Sequence, residues 1–402
     1  MGKSLLKSKM IMELNEKIQQ GNNQAMEEFL CEIKSNGAPL VERIDGDSEN
    51  SLVTYVYKQH EDIENILLIH IDEFENYLEN KMERLVGTDL WYKTYKMNNE
   101  LRFSYKFSVN DALDDDFEKR ASNLEYDKLN KNKLVFKDSE GIVDRIDSYV
   151  IMPSAKEQFW IKERNDTSKG VLYKHKYHSK KLDNYRSVWV YTPFGYTQEN
   201  TEYGFLLLTD GDAYINVLSA TTVLDKLIVD KKIPPIVTIF VDSNDDRYKE
   251  LTCNDTFVDF LTEEIVPWVR DNYAISCKPE QAIIGGSSLG GLTATYVGLK
   301  KCEVFGNVLS QSGSYWYKPE GSKEDNWLSS KFREIDKLPL KFYLNVGVLE
   351  HKDMMIDTNI TLRDTLRDKG YTVQFEEFKS GHDYLSWGET LANGLISLIG
   401  TK

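Results

Sequence analysis

The chain is 402 residues long, 41 % of them hydrophobic, with a formal net charge of −15. This length points to two domains with ordinary cores rather than one. The acidic balance excludes a nucleic-acid binder and a ligand of anionic membranes, since both would repel it.

Residues 1–35 read as one or two polar helices. The opening MGKSLLKSKMIMELNEK has no long apolar run, so no secretory signal is expected, and Leu6 stands where N-myristoylation needs Ser or Thr. Short alternating segments follow: SLVTYVYK, NILLIHI, LWYKTYKM and LRFSYKF. Period-two patterning predicts half-buried antiparallel strands, with Leu101, Phe103, Tyr105 and Phe107 on one face. Several such strands predict a small β-sandwich. Residues 111–150 are charged and irregular and read as connecting structure. The expected domains are therefore 1–150, a β-sandwich with a helical start and an irregular linker, and 151–402.

Beyond Pro153 the texture changes. Apolar strand candidates lie at 186–193, 204–211, 235–242, 281–286, 305–313, 341–347 and 372–378, with helices expected at 256–273, 292–301 and 358–370. Continuous apolar runs suit strands buried on both faces, and alternation with helices predicts a doubly wound α/β sheet. Ligands of such sheets bind at the carboxyl ends of the strands.

The strongest local signal is Gly286-Ser287-Ser288-Leu289-Gly290-Gly291, a G-x-S-x-G centred on Ser288 between a strand and a helix. That context is a nucleophile elbow, in which a sharp turn lifts a hydroxyl to a helix N-terminus. A serine hydroxyl needs a base within reach. Of six histidines, His382 follows the last strand, completing the order Ser, acid, His. His175 and His178 sit in a lysine-rich strand or hairpin, and His351 reads as a bystander. The acid lies after 341–347, where Glu350 comes first and Asp353 is the alternative. Oxyanion donors are expected from the N–H of Leu289 and of Gly211 or Asp212. These parts make an α/β-hydrolase with a serine nucleophile, working without metal or organic cofactor.

Cys31, Cys253, Cys277 and Cys302 form no C-x-x-C pair, so isolated buried thiols are expected, and no metal site. No stretch approaches the roughly 18 apolar residues of a membrane span. The expected location is the cytoplasm, with no nucleic-acid or membrane partner; oligomeric state is not legible.

From LLLTDGDAY through GGSSLGGLTATYVGLKKCEVFGNVLSQSGSYWY to SGHDYLSWGETL, the C-terminal half resembles the enterochelin esterases. MERLVGTDLWYKTYKMNNELRFSYKF is similar to the amino-terminal domain of their two-domain members. The resemblance implies hydrolysis of catecholate siderophore trilactones, enterobactin- or bacillibactin-like, in the ferric or iron-free form, with iron entering only as part of the substrate. It also implies that Arg247 contacts the catecholate and that Trp316, Tyr317 and Trp387 line the pocket. Departures are modest: Ser287 replaces a common glutamine, and Thr209 stands where an aspartate is frequent. Two other readings stay open, a general carboxylesterase of the same fold and a non-catalytic siderophore-binding protein.

Overall fold

A computed structural model describes residues 8–70, 77–114, 116–137, 141–199, 203–244 and 246–401. The chain divides into two compact units, Met1–Glu157 with Lys379–Asp383, and Gln158–Phe378 with Tyr384–Lys402.

Helices Lys9–Gln19 and Ala25–Asn36 open the first unit. Ser8 caps the first of them, its Oγ accepting the Ile11 N–H at 3.2 Å. Ile11, Leu14, Phe29 and Ile33 form an inward stripe against Leu40, Val56 and Leu90. The strands are β1 (Leu40–Ile44), β2 (Asp47–Lys58), β3 (Ile66–His70), β4 (Glu83–Arg84), β5 (Leu90–Asn98), β6 (Arg102–Val109), β7 (Leu124–Glu125), β8 (Lys133–Lys137) and β9 (Val143–Ile151). They form an antiparallel sheet ordered β1-β2-β5-β4 and a second ordered β3-β6-β9-β8, with β7 pairing β6. Edge-to-face aromatics join the sheets: Tyr55 meets Tyr105 at 4.7 Å between centroids and Tyr57 meets Phe107 at 5.3 Å.

Residues 111–150, expected as connecting structure, carry β8, β9 and the helix Phe117–Ser122. The charges that suggested a linker are paired instead: Asp147 is buried and meets Lys106 at 2.7 Å and Arg145 at 3.2 Å. Strand β6 also departs from simple alternation. Its apolar face is buried as expected, but Arg102, Ser104 and Ser108 on the polar face are buried too.

The second unit holds β10 (Val171–Ser179), β11 (Asn184–Thr192), β12 (Gly204–Thr209), β13 (Ile236–Val241), β14 (Ala282–Ser287), β15 (Asn307–Gln311), β16 (Lys341–Gly347) and β17 (Thr372–Phe378). Their order is β10-β11-β13-β12-β14-β15-β16-β17. The first two strands run antiparallel to their neighbours, and β13 through β17 are parallel. Strands β12, β13, β14 and β15 are buried along almost their whole length, as doubly covered strands must be. The chain steps from β12 outward to β13, then returns to β14 on the other side of β12. That reversal is a topological switch point, and it opens a crevice at the carboxyl ends of β12 and β14.

The helix Asp357–Asp368 ends on Gly370 at φ +79°, with the Tyr371 N–H bonded back to the Leu366 carbonyl at 3.0 Å. His175 lies on the edge strand β10, its Nε2 2.8 Å from the Tyr273 hydroxyl. The cysteines are isolated, but Cys31 and Cys277 are exposed rather than buried. Cys31 falls off the inward stripe formed by Phe29 and Ile33. Among the described residues, no helix is long and apolar enough to cross a membrane.

Candidate active site

Strand β14 ends at Ser287, and the helix Leu289–Lys300 begins one residue after Ser288. Ser288 itself sits at φ 58°, ψ −122°, a region that costs a non-glycine residue about 1–3 kcal/mol. The surroundings hold it there. Its N–H donates to the Gln311 carbonyl at 2.8 Å, and its carbonyl accepts from Gly291, Leu292 and Ser314 at 3.0, 3.1 and 3.1 Å. The flanking glycines are required sterically. A Cβ on Gly290 would lie 2.5 Å from Thr209 Oγ1, and one on Gly286 would lie 2.6 Å from the Gly290 backbone. The elbow therefore packs directly onto the end of β12.

Ser288 is half-buried, and its hydroxyl shares a hydrogen bond with Ser314 at 3.3 Å. Ser287 is buried beside the Tyr214 phenol. The Leu289 N–H stands in the first turn of its helix, where no intrahelical acceptor exists. Across the switch point, Asp210 adopts a left-handed conformation (φ 53°, ψ 46°) and a second helix starts at Gly211. The two expected second donors, the N–H groups of Gly211 and Asp212, both stand in the first turn of this helix. Burial, reinforced by the charges of Asp212 and Asp210, pushes Asp242 up to about 6.

Glu350 and Asp353 have opposite environments. Glu350 is 4 % exposed. Its Oε1 accepts the Gly347 N–H at 2.7 Å and the Ser312 hydroxyl at 2.5 Å. Asp353 has an 81 % exposed side chain, with Lys352 Nζ 3.7 Å from its Oδ1. A carboxylate that orients an imidazole has to be fixed, so Asp353 does not suit that role. His351 is occupied locally, its Nδ1 accepting the Met354 N–H at 3.1 Å.

His382 is half-buried in the loop Lys379–Asp383, which leaves the carboxyl end of β17 and leads into the helix Tyr384–Ile399. Ser288, Gly211, Glu350 and this loop thus all follow carboxyl ends of one parallel sheet. A bond from the Val348 N–H to the Phe378 carbonyl, 2.9 Å, ties the ends of β16 and β17 together.

Arg247 opens a short helix after β13 and lays its guanidinium on Asp210 as a fork, Nε to Oδ1 and Nη2 to Oδ2, both at 2.7 Å. Its side chain stays 39 % exposed. Of the neighbouring acids, Glu250 is instead engaged by buried Arg186 at 3.0 Å, and Asp245 lies outside the described residues. Trp316 and Tyr317 are partly buried in the segment after β15, just beyond Ser314. Trp387 does not line a pocket: it is 2 % exposed and lies in the core. Its indole N–H donates to Ser312 Oγ at 3.1 Å, completing a chain from Trp387 through Ser312 to Glu350.

Sequence reasoning missed Asp210, Ser312 and Ser314. Two signals pointed to them. Asp210 lies between Thr209 and Gly211 at a strand end, and Ser312-Gly313-Ser314 follows the next parallel strand after the elbow.

Residues 179–398 match the family described as putative esterase, and residues 52–161 match the family described as enterochelin esterase, N-terminal. The iron(III) enterobactin esterase of Escherichia coli strain CFT073 is 30 % identical over 346 residues, covering 81 % of this chain and 84 % of that protein. Its counterpart in Dickeya dadantii is 26 % identical over 395 residues, covering 88 % and 85 %. The enterobactin esterase of Shigella flexneri, solved in the presence of enterobactin, superposes with a TM-score of 0.75 at 26 % identity, covering 91 % of this chain and 96 % of that one. With an α/β-hydrolase domain that carries a serine elbow and an amino-terminal β-sandwich of the matching type, the chain belongs to the enterochelin esterase family of carboxylic ester hydrolases.

Proposed function

We propose that this protein cleaves the ester bonds of a catecholate siderophore trilactone, of the enterobactin or bacillibactin kind, and releases iron in the cytoplasm. The single observation that carries the chemistry is the held, strained elbow at Ser288, φ 58° and ψ −122°. The relatives named for enterobactin, together with the match over residues 52–161, support the substrate class.

Ser288 is the nucleophile. As its Oγ attacks a lactone carbonyl, His382 takes the hydroxyl proton, and Glu350 orients the imidazole. The carbonyl electrons move onto oxygen, where the N–H groups of Leu289 and of Gly211 or Asp212 hold the charge. Collapse breaks the ester C–O bond, and His382 returns its proton to the departing seryl oxygen. Water, deprotonated by His382, then cleaves the acyl-enzyme and restores Ser288. Arg247 supplies cationic character to a substrate whose catecholates are anionic, although the chain as a whole carries −15. Two of its nitrogens bond Asp210, and its side chain stays 39 % exposed. Trp316 and Tyr317 provide aromatic surface beside the nucleophile.

Mass spectrometry of products from enterobactin and bacillibactin, with and without iron, tests the reading. Linear hydroxy-acid products, formed at a kcat/KM above that for p-nitrophenyl acetate and acetyl-xylan, are expected. Faster cleavage of the simple esters would move the chain to a general carboxylesterase.

A further inference from the structure

The five residues that carry His382 are tied to strand β6 of the amino-terminal unit. Asp383, next to the histidine, is 2 % exposed. One of its oxygens, Oδ2, accepts both the N–H and the hydroxyl of Ser104, at 3.2 and 3.3 Å. The other, Oδ1, accepts the Ser380 hydroxyl at 3.0 Å. At the far end of the segment, the Lys379 carbonyl accepts the Arg102 N–H at 3.0 Å, and the turn is closed by the Asp383 N–H to the Gly381 carbonyl at 2.9 Å. Ser104 and Ser380 are both buried. This accounts for the buried polar face of β6: alternate residues Arg102 and Ser104 receive a loop 279 positions away from Ser104.

We propose that Ser104 and Asp383 are positioning residues, through which the amino-terminal domain fixes the loop bearing the catalytic base. The inference rests on His382 being that base. A five-residue loop between a strand and a helix has backbone freedom, which costs about 1–2 kcal/mol per residue to remove at the moment of reaction. Hydrogen bonds to an ionised carboxylate are the strong kind, and they remove that freedom beforehand. A small side chain at 104 lets the backbone N–H and the hydroxyl reach the same oxygen. The amino-terminal sandwich is thereby a scaffold for catalysis, whatever it adds to substrate capture.

The test uses the full chain and p-nitrophenyl acetate, so that siderophore binding does not enter. Ser104→Ala and Asp383→Asn are measured alone and in the His382→Ala background. Asp383→Asn is expected to lower kcat on the order of thirtyfold and Ser104→Ala about fivefold, as loss of one or two charge-assisted bonds implies. KM stays within about twofold, and fluorophosphonate labelling of Ser288 slows by the same factors. Neither change lowers the residual rate of His382→Ala further, because both act through that imidazole. Folded variants with wild-type kcat, or full effects persisting without His382, would overturn the inference. If Asp383→Asn fails to fold, Ser104 carries the test: Ser104→Thr restores the rate that Ser104→Ala loses. Wild-type turnover in Ser104→Ala contradicts the proposal. Wild-type turnover in His382→Ala would instead overturn the catalytic reading itself, and the two failures are separable because different variants reveal them.

Discussion

The Ser312 hydroxyl donates to Glu350 Oε1 at 2.5 Å and itself receives the Trp387 indole N–H at 3.1 Å. A buried carboxylate needs such donors, and their geometry decides where it points. Ser312→Ala removes a donor from Glu350 and the acceptor of the Trp387 indole N–H. Loss of one hydrogen bond to a charged group is worth about 1.5–3 kcal/mol, so kcat is expected to fall about tenfold and Tm by several degrees. Steady-state kinetics with thermal unfolding on the same samples checks this.

The approach of β14 to β12 makes a second prediction. Gly290→Ala forces a Cβ to 2.5 Å from Thr209 Oγ1 and is expected to destabilise by about 1–3 kcal/mol. Thr209 Oγ1 is itself buried without a hydrogen-bond partner among the described residues. Thr209→Ala in the Gly290→Ala background should therefore recover part of the loss. Urea unfolding of the two single variants and the double variant reads the coupling.

Asp242 sets a pH dependence. Its folded value of about 6 lies above the ordinary aspartate value of 3.8, so the native state binds more protons between these limits. Stability from this group therefore falls as pH rises from about 4 to 6, and the penalty is complete above it. Asp242→Asn is expected to raise stability at pH 7.5 by about 1–3 kcal/mol and to flatten the slope between pH 4 and 6. Denaturation curves for both proteins across that range measure the difference.

The fork of Arg247 on Asp210 separates charge from geometry. Arg247→Lys keeps a cation but cannot form two bonds from one plane. It is expected to lower kcat/KM for the ferric trilactone about tenfold, through KM, and more than for p-nitrophenyl acetate. Parallel assays on the two substrates give the ratio.

What the sequence revealed follows from range. The elbow was legible because its constraints act within five residues: two small flanks, a strand before and a helix after. The fold class was legible because the central strands of the second unit are mostly apolar and buried nearly end to end. Strands β8 and β9 were not, since their charges read as solvated until Asp147 is seen paired with Lys106 and Arg145. Helix Tyr384–Ile399 escaped because Gly388 and Gly394 interrupt its pattern. Both are packing positions, and a Cβ on Gly394 would meet Leu309 at 2.8 Å. Asp353 remained open beside Glu350 because burial, not spacing, distinguishes them. The tie between Ser104 and Asp383 joins residues too far apart for any local pattern to show.

The hydroxyl at the elbow is the centre of the account, and covalent labelling tests it most directly. Intact-mass and peptide mapping after fluorophosphonate treatment should give one adduct, on Ser288, formed more slowly when enterobactin is present and absent from Ser288→Ala. An unmodified protein, or an adduct on any other residue with Ser288 untouched, would contradict it.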